Sequence, residues 1–216
     1  MARIVVASNA AHDLPTEYLD TWTEKIVAKA KQFPGVEVFE LKREKANKKE
    51  LEELIKNKEP RLVILHGHGS HDSVLGYERE VLIKCDENAE LLSGRIVHAL
   101  ACDSGKTLAP HCLKIGTLAY IGYKEEYKLA TLGKTNSKEQ LSDIIAAMFL
   151  DPAFEIIMAL IEGASVDVAF ARSQTLGKNN LSSLITNPAS ASSPLCAALY
   201  HNLTHQMFVG EGATVF

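Results

Sequence analysis

Short apolar runs alternate along this chain with segments whose apolar residues recur every three or four positions. The length and apolar content of six short segments predict β-strands at residues 4–7, 36–41, 62–65, 96–101, 118–122 and 206–209. Between the first two segments, Tyr18, Trp22, Ile26 and Ala30 fall on one face of a helix. The pattern therefore indicates strands that are joined by helices.

This alternation predicts an α/β fold with a mostly parallel sheet of about six strands between helices. A chain of 216 residues is expected to form one domain over residues 1–216. Residues 74–84 are predicted to form a small hairpin, and residues 130–190 a helical region that covers the sheet. Within that region, Ser137 is predicted to begin a helix with a capping box, and Asp151 to cap another helix ahead of Pro152.

Composition and charge narrow the classes of partner and compartment. Acidic residues outnumber basic ones and the net charge is −4, so we expect no nucleic-acid partner and no membrane partner. The four cysteines include no CxxC pair, which favours a reduced, cytoplasmic protein. The first ten residues hold too short an apolar run for a signal peptide, and no stretch approaches the ~20 apolar residues of a membrane span.

Two chemically reactive side chains follow successive buried strands. His68 comes after the third predicted strand, between Gly67 and Gly69, and Cys102 comes directly after the fourth. Ligands of open α/β sheets bind beyond the carboxyl ends of the strands, where adjacent parallel strands would bring these residues together. A thiolate is a nucleophile and a neighbouring imidazole serves it as acid and base. We also expect Asp103, Ser104 and Gly105 to form a turn that leads into a helix ending near Gly116, whose N-terminus would favour the thiolate.

These two turns resemble those of the caspase-like clan of cysteine proteases. The segment GHGS at residues 67–70 is similar to the gingipain branch, and the segment ACDSG at residues 101–105 is similar to the CHAT branch. The resemblance covers residues 2–124 and 198–212. It implies a caspase-like three-layer α/β/α sandwich.

The resemblance also implies a function, that of a cysteine endopeptidase. Cys102 would attack the peptide carbonyl, His68 would protonate the leaving amine, and the backbone N–H groups of Gly69 and Cys102 would hold the oxyanion. No cofactor and no metal are implied. The implied partners are a protein or peptide substrate and an activating partner protein, with self-cleavage in the exposed loop 124–138 as a second route to activation.

The sequence does not determine which substrate residue such a protease would prefer before the cleaved bond. Clan members that cut after Arg or Lys often carry an acidic residue two positions before the nucleophile, where this chain has Leu100. Asp103, Glu125 and Glu126 are the acids that could replace it, and Tyr123 is a further candidate substrate contact. Both a basic and an apolar residue before the cleaved bond therefore remain as hypotheses.

Two other functions are also compatible with the sequence. Residues 66–71 (HGHGSH) resemble the HxHxDH motif of metallo-β-lactamase-like hydrolases, although Ser70 stands where that motif has Asp. Several imidazoles in one loop suit zinc, which would make the protein a metal-dependent hydrolase. The second alternative is a non-catalytic scaffold or binding module with the caspase fold.

Overall fold

The computed structural model describes residues 2–186 and 193–216. Nine strands lie within these residues: β1 (Arg3–Asn9), β2 (Val36–Lys42), β3 (Leu62–His66), β4 (His68–Gly69), β5 (Ser73–Leu75), β6 (Val81–Lys84), β7 (Ile96–Leu100), β8 (Ala119–Tyr123) and β9 (Gln206–Gly210). The same residues hold seven α-helices: α1 (Leu14–Ala30), α2 (Lys48–Lys58), α3 (Leu108–Lys114), α4 (Ser137–Leu141), α5 (Ile144–Ile161), α6 (Val166–Ile185) and α7 (Pro194–His205). All six predicted strands are present.

A six-stranded sheet forms the centre of the fold, with strand order β2-β1-β3-β7-β8-β9. Its first five strands run parallel, and β9 closes the edge antiparallel to β8. The predicted hairpin is confirmed, because β5 and β6 pair antiparallel in a second sheet that also includes β4. This mixed sheet between helices is the predicted α/β/α sandwich.

Both faces of the sheet are buried, which explains why its strands are continuously apolar. In β1, Val5 and Ala7 belong to a core that includes residues of α1 and α5. Val6 points the other way, into a core that includes residues of α2, α3 and the small sheet. Alternate strand residues therefore reach two separate cores, as the two-residue repeat of a strand requires.

The helical region 130–190 differs in its helix boundaries from the prediction, and its residues 187–190 lie outside the described part of the chain. Asn136, rather than Ser137, caps α4, since its side chain accepts a hydrogen bond from the Glu139 N–H. Pro152 lies inside α5 instead of opening a new helix. The predicted helix start at Asp151 is wrong because α5 already begins at Ile144, after the N-cap Asp143.

Helix α5 forms the largest helical contribution to the core. Contrary to the expectation that no stretch approaches a membrane span, this helix is long and apolar enough for one by length and composition, and 67% of its residues are buried inside the fold. Residues such as Leu150, Phe154 and Ile157 lie in the same core as β1 and β3. Packing against the sheet therefore accounts for the apolar character of this helix.

Candidate active site

The carboxyl ends of three neighbouring strands meet at one edge of the sheet. Strand β3 lies between β1 and β7, with Asn9 opposite His66 and His66 opposite Leu100. The segment after β1 carries Asp13, the segment after β3 carries His68, and the segment after β7 carries Cys102. Parallel pairing in this register thus brings residues that are far apart in sequence to one place.

Glycines on both sides of His68 allow its turn to press against neighbouring backbone. A Cβ atom at Gly67 would lie 2.3 Å from the Leu75 carbonyl oxygen, and one at Gly69 would lie 2.5 Å from the Cys102 carbonyl oxygen. Real Cβ atoms do not approach so closely, so both positions require glycine. The close packing at Gly69 places the His68 turn directly against the Cys102 segment.

The turn that carries Cys102 is fixed by hydrogen bonds rather than by a helix. The buried Ser104 hydroxyl donates to the Ala101 carbonyl, and the Gly105 N–H donates to the Tyr123 carbonyl at 2.9 Å. Helix α3 begins only at Leu108. The predicted turn and the helix after it are confirmed. The expected helix N-terminus beside Cys102 is wrong, because the turn, which is anchored to the end of β8, separates Cys102 from α3.

The surroundings of Cys102 favour the neutral thiol. Burial raises the pKa of Cys102 above its ordinary value, and the nearby carboxylates of Glu126 and Asp103 act in the same direction. The backbone N–H of Tyr127 and the ammonium group of Lys128 act in the opposite direction. Cys102 is thus a thiol at neutral pH, contrary to the expectation of a thiolate.

Asp13 is the residue of this site that the sequence analysis missed. Its Oδ2 lies 2.6 Å from His68 Nε2, and its Oδ1 accepts hydrogen bonds from the backbone and side chain of Thr16. Burial opposes ionisation here, but the hydrogen bonds from Thr16 and His68 lower the pKa of Asp13 to about 2. A carboxylate therefore holds the imidazole through Nε2, which leaves Nδ1 as the ring nitrogen for proton exchange.

His68 and Cys102 line the same cleft, whose volume is about 420 Å³. Its walls come from the start of α1, the end of β7, the segment after β8 and helix α7. The apolar residues in the lining are Pro15, Leu19, Leu100, Leu129, Ala130 and Ala198. The two predicted catalytic residues therefore open onto a mainly apolar cleft.

The four predicted substrate contacts are placed differently from one another. Glu126 lines the cleft. Tyr123 is buried in the core, where its hydroxyl accepts a hydrogen bond from Gln206. Asp103 and Glu125 lie 2.9 and 3.0 Å from the ammonium group of Lys106. The structure brings only Glu126 of these four into the cleft lining.

The histidines of the HGHGSH segment diverge. The His66 ring is fully buried, within hydrogen-bond distance of Thr23 and His98, whereas the side chain of His71 is exposed. In the described part of the chain, the group that could hold a metal ion is instead His12, Asp13 and His68, with ligand atoms within 4.8 Å of one another. The metal motif suggested by the sequence is therefore not assembled as a unit.

The residues at this edge of the sheet combine a thiol, an imidazole, a carboxylate and an apolar cleft. This set can perform nucleophilic acyl transfer, in which the imidazole takes a proton from the thiol and returns it to a leaving group. Comparison of the sequence with protein-family models and with curated proteins gives no match.

Proposed function

We propose that this protein is a cysteine endopeptidase of the caspase-like clan. Cys102 is the nucleophile, His68 the general acid and base, and Asp13 the residue that positions His68. The observation that carries this proposal is that His68, hydrogen-bonded to Asp13, lines one cleft together with Cys102.

The reaction begins with the neutral thiol. His68 Nδ1 takes the thiol proton as Sγ attacks the peptide carbonyl, and the backbone N–H groups of Gly69 and Cys102 hold the oxyanion. Collapse of this intermediate breaks the C–N bond, and Nδ1 gives its proton to the leaving amine. Water then attacks the thioester with His68 as base, which releases the acid and restores the thiol.

Asp13 supports this sequence of proton transfers. Its carboxylate stabilises the imidazolium that forms in each half of the reaction and keeps Nε2 as the protonated nitrogen. Because the pKa of Asp13 is about 2, it remains charged over the whole neutral range.

The proposal is tested by incubating wild type, Cys102→Ala, His68→Ala and Cys85→Ala with a denatured protein and mapping new N-termini by mass spectrometry. Cys85→Ala is the matched control, because Cys85 is buried and lies outside the cleft lining. We expect cleavage by wild type and Cys85→Ala only. Cleavage by Cys102→Ala, or the absence of cleavage by wild type, would reject the proposal.

A metal-dependent hydrolase is the second candidate, and the proximity of His12, Asp13 and His68 favours it. His12 Nε2 lies 3.8 Å from Asp13 Oδ2, and imidazole and carboxylate are both ligands of zinc. This candidate predicts activity that a chelator abolishes, that zinc restores and that survives in Cys102→Ala. The cysteine mechanism predicts that a chelator leaves the activity intact, that added zinc is not required, and that Cys102→Ala is inactive.

A further inference from the structure

We propose that the cleft beside Cys102 selects an uncharged aliphatic side chain on the acyl side of the cleaved bond. This inference rests on the proposed function and decides between the basic and apolar preferences that the sequence leaves open. A peptide whose carbonyl carbon meets Cys102 Sγ has one side chain adjacent to that carbon. The cleft that Cys102 lines is the space available to that side chain.

Two buried leucines form part of the cleft lining. Leu100 and Leu19, from β7 and α1, are 2% and 7% exposed and both belong to the lining. Leu100 stands two residues before the nucleophile, and both residues line the same cleft. A guanidinium or ammonium group placed there would lose part of its hydration without gaining a charged partner, which disfavours its binding. An aliphatic side chain gains from the same surface.

The charges around the cleft are already paired. Of the residues that the structure places in the lining, Glu126 is the one carboxylate, and it makes an ion pair with Lys128 of the same lining. Both oxygens of Asp13 are engaged, by Thr16 and His68. Of the residues in the described lining, a cationic side chain would therefore find one carboxylate, Glu126, which it would share with Lys128.

The wall opposite α1 is held in place before any substrate binds. The Asn202 side chain accepts from the Lys128 N–H at 2.9 Å and donates to the Lys128 carbonyl at 2.7 Å. The Tyr127 hydroxyl donates to the Phe149 carbonyl at 2.6 Å. These contacts fix the segment that presents Leu129 and Ala130 to the cleft. A preformed apolar wall discriminates by shape as well as by charge.

The test compares irreversible acyloxymethyl ketone peptides that are identical except for Leu, Arg or Asp next to the reactive carbonyl. The rate of adduct formation at Cys102 is measured by intact-protein and peptide mass spectrometry. We expect the Leu reagent to react at least about tenfold faster than the Arg and Asp reagents. Equal rates, a faster Arg or Asp reagent, or no adduct with any reagent would overturn the inference.

Variants add a second measurement. Leu100→Asp and, in case that buried acid prevents folding, Ala130→Asp place a carboxylate in the lining and should raise the Arg-to-Leu rate ratio. Leu113→Asp is the matched control, since Leu113 is 40% exposed on α3 and lies outside the lining. An unchanged ratio in folded cleft variants, or an equal change in the control, would contradict the pocket assignment.

The same reagents separate this inference from the proposed function. Fast labelling by the Leu reagent without any peptide cleavage would keep the pocket preference and reject the protease. Cys102-dependent cleavage after Arg or Asp would keep the protease and reject the preference.

Discussion

Among single residues, Asp13 makes two separate interactions, one through each of its carboxylate oxygens. Oδ1 caps α1 through Thr16, and Oδ2 holds His68. Asn caps helices about as well as Asp, whereas Ala caps poorly. Substitution at this one position can therefore separate the stability of α1 from the orientation of the imidazole.

We expect Asp13→Asn and Asp13→Ala to lose activity alike, by about 10²-fold or more in kcat with little change in KM, because both lack the carboxylate. Only Asp13→Ala should also lose about 1 kcal/mol of unfolding free energy with the cap. Peptide cleavage kinetics and urea denaturation measure the two effects. Full activity in Asp13→Asn would remove Asp13 from the catalytic arrangement.

The raised pKa of Cys102 gives a prediction on its reactivity. Burial keeps the resting side chain a thiol, so its alkylation by iodoacetamide should accelerate with pH through and beyond pH 9. Mass spectrometry of the Cys102 peptide at a series of pH values gives the rate. The peptide of Cys112, whose pKa burial raises to about 12, is an internal reference that should react more slowly throughout. A rate for Cys102 that levels off below pH 7 would indicate a preformed thiolate instead.

At the scale of elements, Asn202 ties α7 to the segment that forms the cleft wall. Removal of its two hydrogen bonds in Asn202→Ala should cost about 1–3 kcal/mol of stability and loosen residues 124–130. Trypsin should then cut faster at Lys124 and Lys128, and peptide cleavage should slow. Asn180→Ala is a suitable control, because Asn180 makes one hydrogen bond to the Met148 carbonyl away from the cleft. Equal trypsin sensitivity of the two variants would contradict this role.

The positions of His68 and Cys102 could be predicted because each follows a buried strand, and parallel strands end at one edge of a sheet. Asp13 carries the same signal, since it follows β1, but the sequence does not single it out because no catalytic motif surrounds it and its contact with His68 spans 55 residues. Pro152 gave a false helix start because local capping patterns carry no information on tertiary packing. The cleft walls depend on how α7 meets the segment after β8, which no periodicity encodes.

For the whole molecule, two buried histidines in the central sheet make the stability of the protein depend on pH. His66 and His98 lie on paired strands with His66 Nε2 3.3 Å from His98 Nδ1, beneath Phe154 of α5. Burial lowers the pKa of His98 to about 4 and that of His66 well below its ordinary range, where His98 adds to the effect. Both side chains are therefore neutral in the folded protein at pH 7.

This pair makes stability fall as the pH falls. An unfolded histidine binds a proton near pH 6.5, whereas folded His98 does so only near pH 4. Between these pH values the unfolded state binds more protons than the folded state. The free energy of unfolding therefore decreases, by on the order of 3 kcal/mol for His98 alone. Urea denaturation at a series of pH values from 7.5 to 4 should show the free energy of unfolding decreasing as the pH falls.

The double variant His66→Leu, His98→Leu should reduce the slope, because it removes both titrating groups. His71→Leu serves as the control, since His71 is exposed and should leave the slope unchanged. An identical slope in wild type and the double variant would assign the acid sensitivity to other groups.

The arrangement of the cleft has a consequence for the timing of protein synthesis. Its walls combine a segment near residue 15 with Ala198, and its loop is fastened by Asn202. Domains begin to fold while the chain is still being made. The strands that carry His68 and Cys102 can therefore assemble on the ribosome well before the wall from α7 has emerged. A nascent chain that already carries His68 and Cys102 therefore lacks a complete cleft until α7 has been synthesised and has docked.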